Sequence, residues 1–137
     1  MLVESRGSRL LVDCTPDLRA QCLANDIGHI DAVLFTHDHA DHTHGIDDLR
    51  RLFYARNTPI PAYGSSQTLD SAVQRFNYAF QQQHDGYRPF LSAKKFSGPF
   101  KIGVIEVVPY SQQHGALTST GYRFGPIAYS TDLTSLP

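Results

Sequence analysis

The sequence predicts a mixed α/β or α+β fold in which helices cover a β-sheet. Short β-type runs open the chain and recur from Lys94 onward, and the helical patterns lie between them. The apolar run Ile30–Phe35, interrupted only by Asp31, is typical of a strand buried on both faces of a parallel or mixed sheet. With 137 residues, of which 41% are hydrophobic, we expect one domain over residues 1–137.

A hairpin and a helix are predicted at the N-terminus. The apolar runs Leu2–Glu4 and Arg9–Asp13 flank a short turn that contains Gly7, a pattern typical of a β-hairpin. A helix is then expected between Thr15 and Asn25, because a threonine N-cap is followed by proline at the first helical position. The buried strand described above follows this helix.

Two more helices and several strands are predicted in the rest of the chain. Apolar residues at helical spacing predict a helix over Gly45–Arg56, and a longer apolar stripe predicts one from Ser66 to Phe80. The short, proline-flanked run Pro59–Tyr63 predicts an edge strand. After a polar loop at Gln81–Pro89, five β-type runs are predicted: Lys94–Ser97, Phe100–Ile102, Val104–Val108, Thr120–Phe124 and Ile127–Thr131.

The composition indicates neither a nucleic-acid partner nor a membrane partner. The 12 basic and 13 acidic residues nearly balance, so the chain has no strongly basic or acidic character. No apolar run approaches the roughly 20 residues that cross a bilayer, and the N-terminus lacks the pattern of a signal peptide. We therefore expect a cytoplasmic protein, with Cys14 and Cys22 as buried thiols in a reducing compartment.

The residues after the buried strand are typical of a metal site. The stretch Thr36–Gly45, here called the metal loop, contains four histidines and two aspartates within eight positions. Because loop residues two apart can point to the same side, His37 and His39 can share one metal, while Asp41 and His42 turn toward a second position. Imidazole nitrogens combined with carboxylate oxygens suit zinc or a similar first-row divalent ion.

This motif and its flanks resemble the metallo-β-lactamase superfamily. The signature is His37-Asp38-His39-Ala40-Asp41-His42 after an apolar strand. The flanks at 13–19 and 44–50, with Tyr78-Ala79-Phe80, are similar to the branch that contains the cyclic-phosphate phosphodiesterase of bacterial phosphonate breakdown. A more distant resemblance is to the accessory protein of pyrroloquinoline quinone biosynthesis. The superfamily resemblance implies an αββα sandwich, of which this chain would supply about the N-terminal half and part of the second sheet.

The resemblance also implies a set of metal ligands. Three histidines would hold one metal, an aspartate and a histidine would belong to the second, and another aspartate would bridge both. The aspartate of the second metal is also the predicted catalytic residue. In the order just given, these residues are His37, His39 and His114, then Asp41 and His42, and finally Asp132.

Two further residues are candidates for contacts around the ligands. Asp13 ends a predicted strand and resembles the first-motif aspartate of the superfamily, which orients the metal loop by hydrogen bonding. His44 lies just past the motif and is a candidate for a neighbour of the ligands or for a substrate contact. The alternative for His44 is a solvated histidine at the start of a helix.

The implied function is that of a metal-dependent hydrolase, with a phosphodiesterase favoured. A hydroxide bridging two zinc-type ions would attack a small phosphodiester or nucleotide-like substrate. Two zinc ions are expected in the full-length protein, with manganese or iron as alternatives, and a homodimer is left open. The alternative functions are a non-catalytic zinc-binding accessory protein, as in pyrroloquinoline quinone biosynthesis, and an inactive truncated fragment.

One departure from the superfamily pattern concerns the second metal. The fifth motif of the superfamily supplies a last histidine from a later strand, and no histidine follows His114 in this sequence. The strand that normally precedes Leu2 is also missing from the pattern. We therefore expect these 137 residues to be a fragment or a truncated reading frame of a much longer chain.

Overall fold

Two β-sheets and a layer of helices make up the computed structural model, which describes residues 1–136; Pro137, the last residue of the expected domain, lies outside the described residues. The strands are β1 (Leu2–Ser5), β2 (Ser8–Val12), β3 (Ala32–Leu34), β4 (Ile60–Gly64), β5 (Leu91–Lys95), β6 (Phe100–Ile102), β7 (Ile105–His114), β8 (Leu117–Phe124) and β9 (Ile127–Tyr129). The α-helices are α1 (Leu18–Ala24), α2 (Ala40–Thr43), α3 (Leu49–Arg56), α4 (Ser66–Arg75) and α5 (Asn77–Phe80). Within residues 1–136, no helix is long and apolar enough to span a membrane.

The first sheet places the ends of four parallel strands along one edge. Its order is β1-β2-β3-β4-β5, in which β1 and β2 form the predicted antiparallel hairpin and the other neighbours are parallel. Asp13 follows β2 and the metal loop follows β3, so both lie at the carboxyl edge of the sheet, where sites of α/β folds usually lie. The second sheet is antiparallel, in the order β6-β7-β8-β9.

Two apolar cores hold these layers together. On β3, Val33 packs in the core between the first sheet and the helices, whereas Ala32 and Leu34 pack in the core between the two sheets. Burial on both faces explains the uninterrupted apolar run that predicts this strand. The sheets are also joined by two hydrogen bonds beside the metal loop: the Thr120 amide donates to the Thr36 carbonyl at 2.8 Å, and the Tyr122 hydroxyl donates to the Phe35 carbonyl at 2.7 Å.

The strand that contains Pro61 is not at an edge, so that expectation was wrong. The Ile60 amide donates to the Phe90 carbonyl on the β5 side, and the Tyr63 carbonyl accepts from the Phe35 amide on the β3 side. Backbone groups alternate in direction along a strand, so the nitrogen of Pro61 faces the β3 side. Pairing with β3 begins only at the next residue, and the missing N–H of proline therefore costs no ladder hydrogen bond.

Several further boundaries differ from expectation. Helix α1 begins at Leu18 after Asp17 at the N-cap, not after Thr15, and β5 covers Leu91–Lys95 instead of Lys94–Ser97. The helix expected over Gly45–Arg56 begins as a 3₁₀ turn at Ile46–Asp48, and the helix expected up to Phe80 is broken at Phe76 into α4 and α5. β7 continues six residues beyond Val108, through a polar run, to pair with β8. The two strands are joined by a two-residue turn that opens with Gly115 at φ 59°, a conformation for which glycine is favoured.

Candidate metal centre

The metal loop rests on Asp13, a buried carboxylate directly after β2. Its Oδ1 accepts a hydrogen bond from the Thr36 amide and its Oδ2 from the Thr36 hydroxyl, each at 2.8 Å. The same Oδ2 lies 2.8 Å from Nδ1 of His42. Asp13 has a φ of 59°, in the left-handed region that aspartate tolerates better than most residues. This one side chain thus connects the end of β2 to both ends of the loop after β3.

These contacts determine which nitrogen of two histidines carries the proton. Because the Thr36 hydroxyl donates to Asp13, its oxygen accepts from Nδ1 of His37, 3.0 Å away. His42 likewise donates its Nδ1 proton to the Asp13 carboxylate. Both rings therefore turn Nε2 away from Asp13, and in the neutral imidazole this is the unprotonated nitrogen that a metal binds.

Three imidazole nitrogens converge where the metal loop meets the second sheet. Nε2 of His37 lies 3.1 Å from Nδ1 of His39, which lies 3.3 Å from Nε2 of His114. The three donor atoms all lie within 4.8 Å of one another. His39 precedes α2 and His114 ends β7, so the group joins the metal loop to the second sheet. A set of three histidines suits a tetrahedral zinc ion with one open position.

A second group joins His37 to His42 and Asp132. Oδ2 of Asp132 lies 2.7 Å from Nε2 of His42 and 3.5 Å from Nε2 of His37. Asp132 also has a positive φ, 54°, and lies three residues beyond the end of β9. Its carboxylate therefore stands between the Nε2 atoms of His37 and His42.

Strand β7 positions the segment that carries Asp132. The side-chain amide of Gln112 donates to the Thr131 carbonyl at 2.6 Å, and the Thr134 amide donates to the Gln113 carbonyl at 2.7 Å. A bridge between Gln113 and Ser135 continues this pairing. The strand that ends in His114 thus also holds the chain on both sides of Asp132.

Two predicted site residues lie at the margin of these groups. Oδ2 of Asp41 is 3.4 Å from Nε2 of His42, and the Asp41 side chain is 75% exposed. Asp41 belongs to neither three-residue group among the described residues. His44 is exposed; its Nε2 accepts a hydrogen bond from Arg75 at 2.8 Å, and its ring lies against Phe76. The roles of Asp41 and His44 stay predictions.

The local electrostatics favour an ionised Asp132 beside a neutral His37. Burial lowers the pKa of His37, and the positive charges of His42 and His39 lower it further. Burial would raise the pKa of Asp132, but the charge and hydrogen bond of His42 outweigh it, and the pKa is lowered. The hydrogen bond to Asp13 raises the pKa of His42. A neutral imidazole and an ionised carboxylate are the protonation states that bind a metal.

Two residues with contacts at the site, Thr36 and Arg75, have no role predicted from the sequence. Thr36 lies directly before the histidine motif and close to the end of β3, and this position is the sequence signal that could have identified it. Arg75 donates to Nε2 of His44 and to the Asp38 carbonyl, and Ser71 of the same helix donates to the Asp38 carboxylate. Arg75 lies 31 residues from His44 along the chain, and no local pattern connects the two. Helix α4 therefore restrains the metal loop from outside.

Comparison with known proteins finds relatives much longer than this chain. An octanoyltransferase of Porphyromonas gingivalis is 36% identical over 138 residues, covering 99% of this chain and 28% of that protein. A ribonuclease Z of Methanopyrus kandleri is 29% identical over 126 residues, covering 86% of this chain and 40% of that protein. The chain thus spans less than half the length of these relatives.

Solved structures and a family model identify the fold. A crystal structure of a diphosphatase from the PhnP family is 33% identical with a TM-score of 0.88, over 99% of this chain and about half, 52%, of that chain. Zn²⁺-bound PqqB of Methylobacterium extorquens, 20% identical with a TM-score of 0.67 over 93% of this chain and 49% of that chain, shares the fold. The family model described as a beta-lactamase superfamily domain matches residues 8–137. The expectation from the histidine motif is confirmed, and the chain belongs to the metallo-β-lactamase superfamily.

Proposed function

We propose that this chain supplies most of a two-metal site in a hydrolase that cleaves a small phosphodiester. The observation that carries the proposal is the pair of three-residue groups that share His37, one completed by His114 of β7 and the other by Asp132. Two neighbouring groups of donors can hold two adjacent cations, and because one imidazole nitrogen binds one cation, a carboxylate such as Asp132 is the group that can bridge them.

The donor atoms fit zinc-type ions. Borderline nitrogen donors predominate, and carboxylate oxygens complete the set. The hydrogen bonds of Nδ1, to Thr36 in His37 and to Asp13 in His42, leave Nε2 of each neutral ring free to bind a metal. Two bound divalent cations supply a water of lowered pKa as nucleophile and offset the negative charge of a phosphate. We assign the residues as follows: His37, His39 and His114 for the first ion, Asp41 and His42 for the second, and Asp132 for both.

The residues around the ligands prepare the site before a substrate binds. Asp13 and Thr36 hold the rings of His37 and His42 in one tautomer, and β7 holds the segment of Asp132 in place. The exposed carboxylates of Asp41 and Asp132 mark the open side, where a substrate enters. Because these carboxylates would repel an anionic phosphodiester, binding of such a substrate depends on the cations.

The choice of a phosphodiester is supported by similar proteins rather than by the ligands. The same donor set would serve several hydrolytic reactions, so the fold alone does not select a substrate. The structure at 33% identity is a diphosphatase, and ribonucleases are among the similar sequences. Both names denote cleavage of a bond between phosphorus and oxygen, which favours a phosphate substrate here.

Metal content and turnover test this proposal together. Full-length protein loaded with zinc should contain about two zinc ions per chain and should hydrolyse bis(p-nitrophenyl) phosphate. Asp41→Ala should abolish this turnover, because it removes a ligand of the second ion. Asp70→Ala is the matched control, because the Asp70 carboxylate pairs with Lys95 on the exposed surface. Bound zinc without turnover of any phosphodiester would contradict the proposal and favour a zinc-binding accessory protein.

A further inference from the structure

One face of β7 carries Tyr110, Gln112 and His114, because side chains alternate between the two faces of a strand. The chain that follows β9 crosses this face and is hydrogen-bonded to it. The Tyr110 hydroxyl donates to the Tyr129 carbonyl at 3.0 Å, and the side-chain amide of Gln112 donates to the Thr131 carbonyl at 2.6 Å. The row of side chains that ends in a histidine of the first group therefore also holds the chain that leads to the carboxylate of the second group.

The contact between Gln112 and Thr131 extends to the carboxylate of Asp132. While the Thr131 carbonyl accepts from Gln112, the Thr131 hydroxyl donates to Oδ1 of Asp132 at 3.3 Å. The other oxygen, Oδ2, lies 2.7 Å from Nε2 of His42. The backbone of Asp132 has a φ of 54°, a conformation that few L-residues adopt unless neighbouring contacts stabilise it. A connected set of hydrogen bonds thus runs from β7 to the Asp132 carboxylate.

Gln112 is an unusual residue for its buried position. It is 2% exposed, and besides its contact with Thr131 its Nε2 donates to Oγ of Ser119 at 3.0 Å. Its Oε1 is also buried and accepts no hydrogen bond from any of residues 1–136. A buried acceptor without a donor destabilises a fold, whereas an apolar side chain of similar length would fill the same space without that cost. Departures of this kind are typical of residues that serve a functional site.

We propose that Gln112 is a positioning residue for Asp132, which acts through Thr131 and sets the affinity of the site for its second cation. The assignment of Asp132 as a ligand of that cation rests on the proposed function. The first cation would keep three imidazole ligands without this contact, since backbone pairing in the β7–β8 hairpin holds His114 in place. The second cation has a single assigned histidine and depends more strongly on the Asp132 carboxylate. Loss of the Gln112 amide should therefore weaken binding of the second cation more than binding of the first.

Stepwise titration of the full-length protein with zinc tests this difference. Gln112→Met keeps the length of the side chain and removes the amide, so the second zinc ion should bind about tenfold more weakly and the first by less than about twofold. Ser111→Ala is the matched control, because Ser111 is exposed and its side chain lies on the opposite face of β7. Equal weakening of both ions, or of neither, would overturn the proposal, since a general loss of structure does not distinguish the two ions.

A second variant tests the step from Thr131 to the carboxylate. Thr131→Val keeps the shape of the side chain and the carbonyl that accepts from Gln112, but it removes the hydroxyl that donates to Asp132. It should also weaken the second zinc ion selectively. Because the two contacts act in series, the double variant with Gln112→Met should lose less affinity than the product of the two single effects. Fully multiplicative losses would show that Gln112 does not act through Thr131.

A crystal structure of zinc-free, full-length Gln112→Met separates failure of this inference from failure of the proposed function. Wild-type protein that binds a single zinc ion would refute the two-metal site, and the crystal structure would then test the role of Gln112 without zinc. The Asp132 carboxylate should lie beyond hydrogen-bonding distance of Nε2 of His42 in the variant. A carboxylate that keeps its wild-type contact with His42 would contradict the positioning role.

Discussion

The two sides of the metal centre differ in how the chain holds them. On the inner side, His37 is 4% exposed and His42 is 8% exposed, and both rings are hydrogen-bonded to a buried network around Asp13. On the outer side, the side chains of Asp41 and Asp132 are 75% and 35% exposed. The inner side is therefore organised by the polypeptide, whereas the outer carboxylates remain accessible to water and cations.

This difference separates folding from metal binding. Removing a hydrogen-bonding group from the buried network leaves its partners unsatisfied, which costs folding free energy even without metal. Removing an exposed carboxylate leaves no buried group unsatisfied, so its cost should be confined to metal affinity. A variant on the inner side should therefore lower the stability of the metal-free protein. A variant on the outer side should lower metal affinity and leave that stability nearly unchanged.

Asp13→Ala should have the largest effect on stability. It leaves the Thr36 amide and Nδ1 of His42 without their buried acceptor, which should destabilise the metal-free protein by about 3 kcal/mol. Urea unfolding in the presence of a chelator measures this loss. Asp70→Ala, at an exposed ion pair, should change stability by less than ~1 kcal/mol. Equal effects of the two variants would show that the Asp13 network does not stabilise the fold.

Gly45→Ala should have the next largest effect. A Cβ at Gly45 would lie 2.1 Å from the Thr15 carbonyl oxygen, so the end of the metal loop must move away from the segment after Asp13. We expect a loss of about 2 kcal/mol in metal-free protein, together with weaker zinc binding. Gly28→Ala is the matched control, because a Cβ there meets no atom within 4 Å. A Gly45→Ala protein with wild-type stability and zinc affinity would contradict the packing described here.

Asp132→Asn should have the smallest effect on folding. Its side chain is partly exposed, and loss of the charge should change the stability of metal-free protein by less than ~0.5 kcal/mol. Zinc affinity should fall, because the carboxylate lies near both His37 and His42. Calorimetric titration with zinc, beside the same urea unfolding, measures the two quantities. If Asp132→Asn strongly destabilised the metal-free protein and left zinc affinity unchanged, the proposed difference between the two sides would be wrong.

The proximity of the inner-side residues can be predicted from the sequence because its information is local. His37, His39 and His42 are nearly contiguous, and an apolar strand precedes them, so their proximity follows from chain connectivity. The parallel strands place Asp13 at the same edge, as its position at a strand end suggested. His114 and Asp132 were named only through the family resemblance, since sequence separation alone does not show that they meet the loop.

The features that sequence patterns missed depend on pairing between distant segments. The polar run that ends β7 has no apolar alternation, and its strand structure comes from pairing with β8 around the turn at Gly115. The interior position of β4 depends on the direction in which the nitrogen of Pro61 faces, which a residue pattern does not reveal. The contact between Arg75 and His44 depends on how α4 packs over the loop.

Zinc positions in a crystal of the protein soaked with zinc would test the central claim most directly. The account predicts an anomalous peak about 2.0–2.1 Å from Nε2 of His37, Nδ1 of His39 and Nε2 of His114. A second peak should lie beside Nε2 of His42 and the Asp132 carboxylate. Zinc bound only at other histidines, such as His29 or His84, with no peak in the loop, would contradict it.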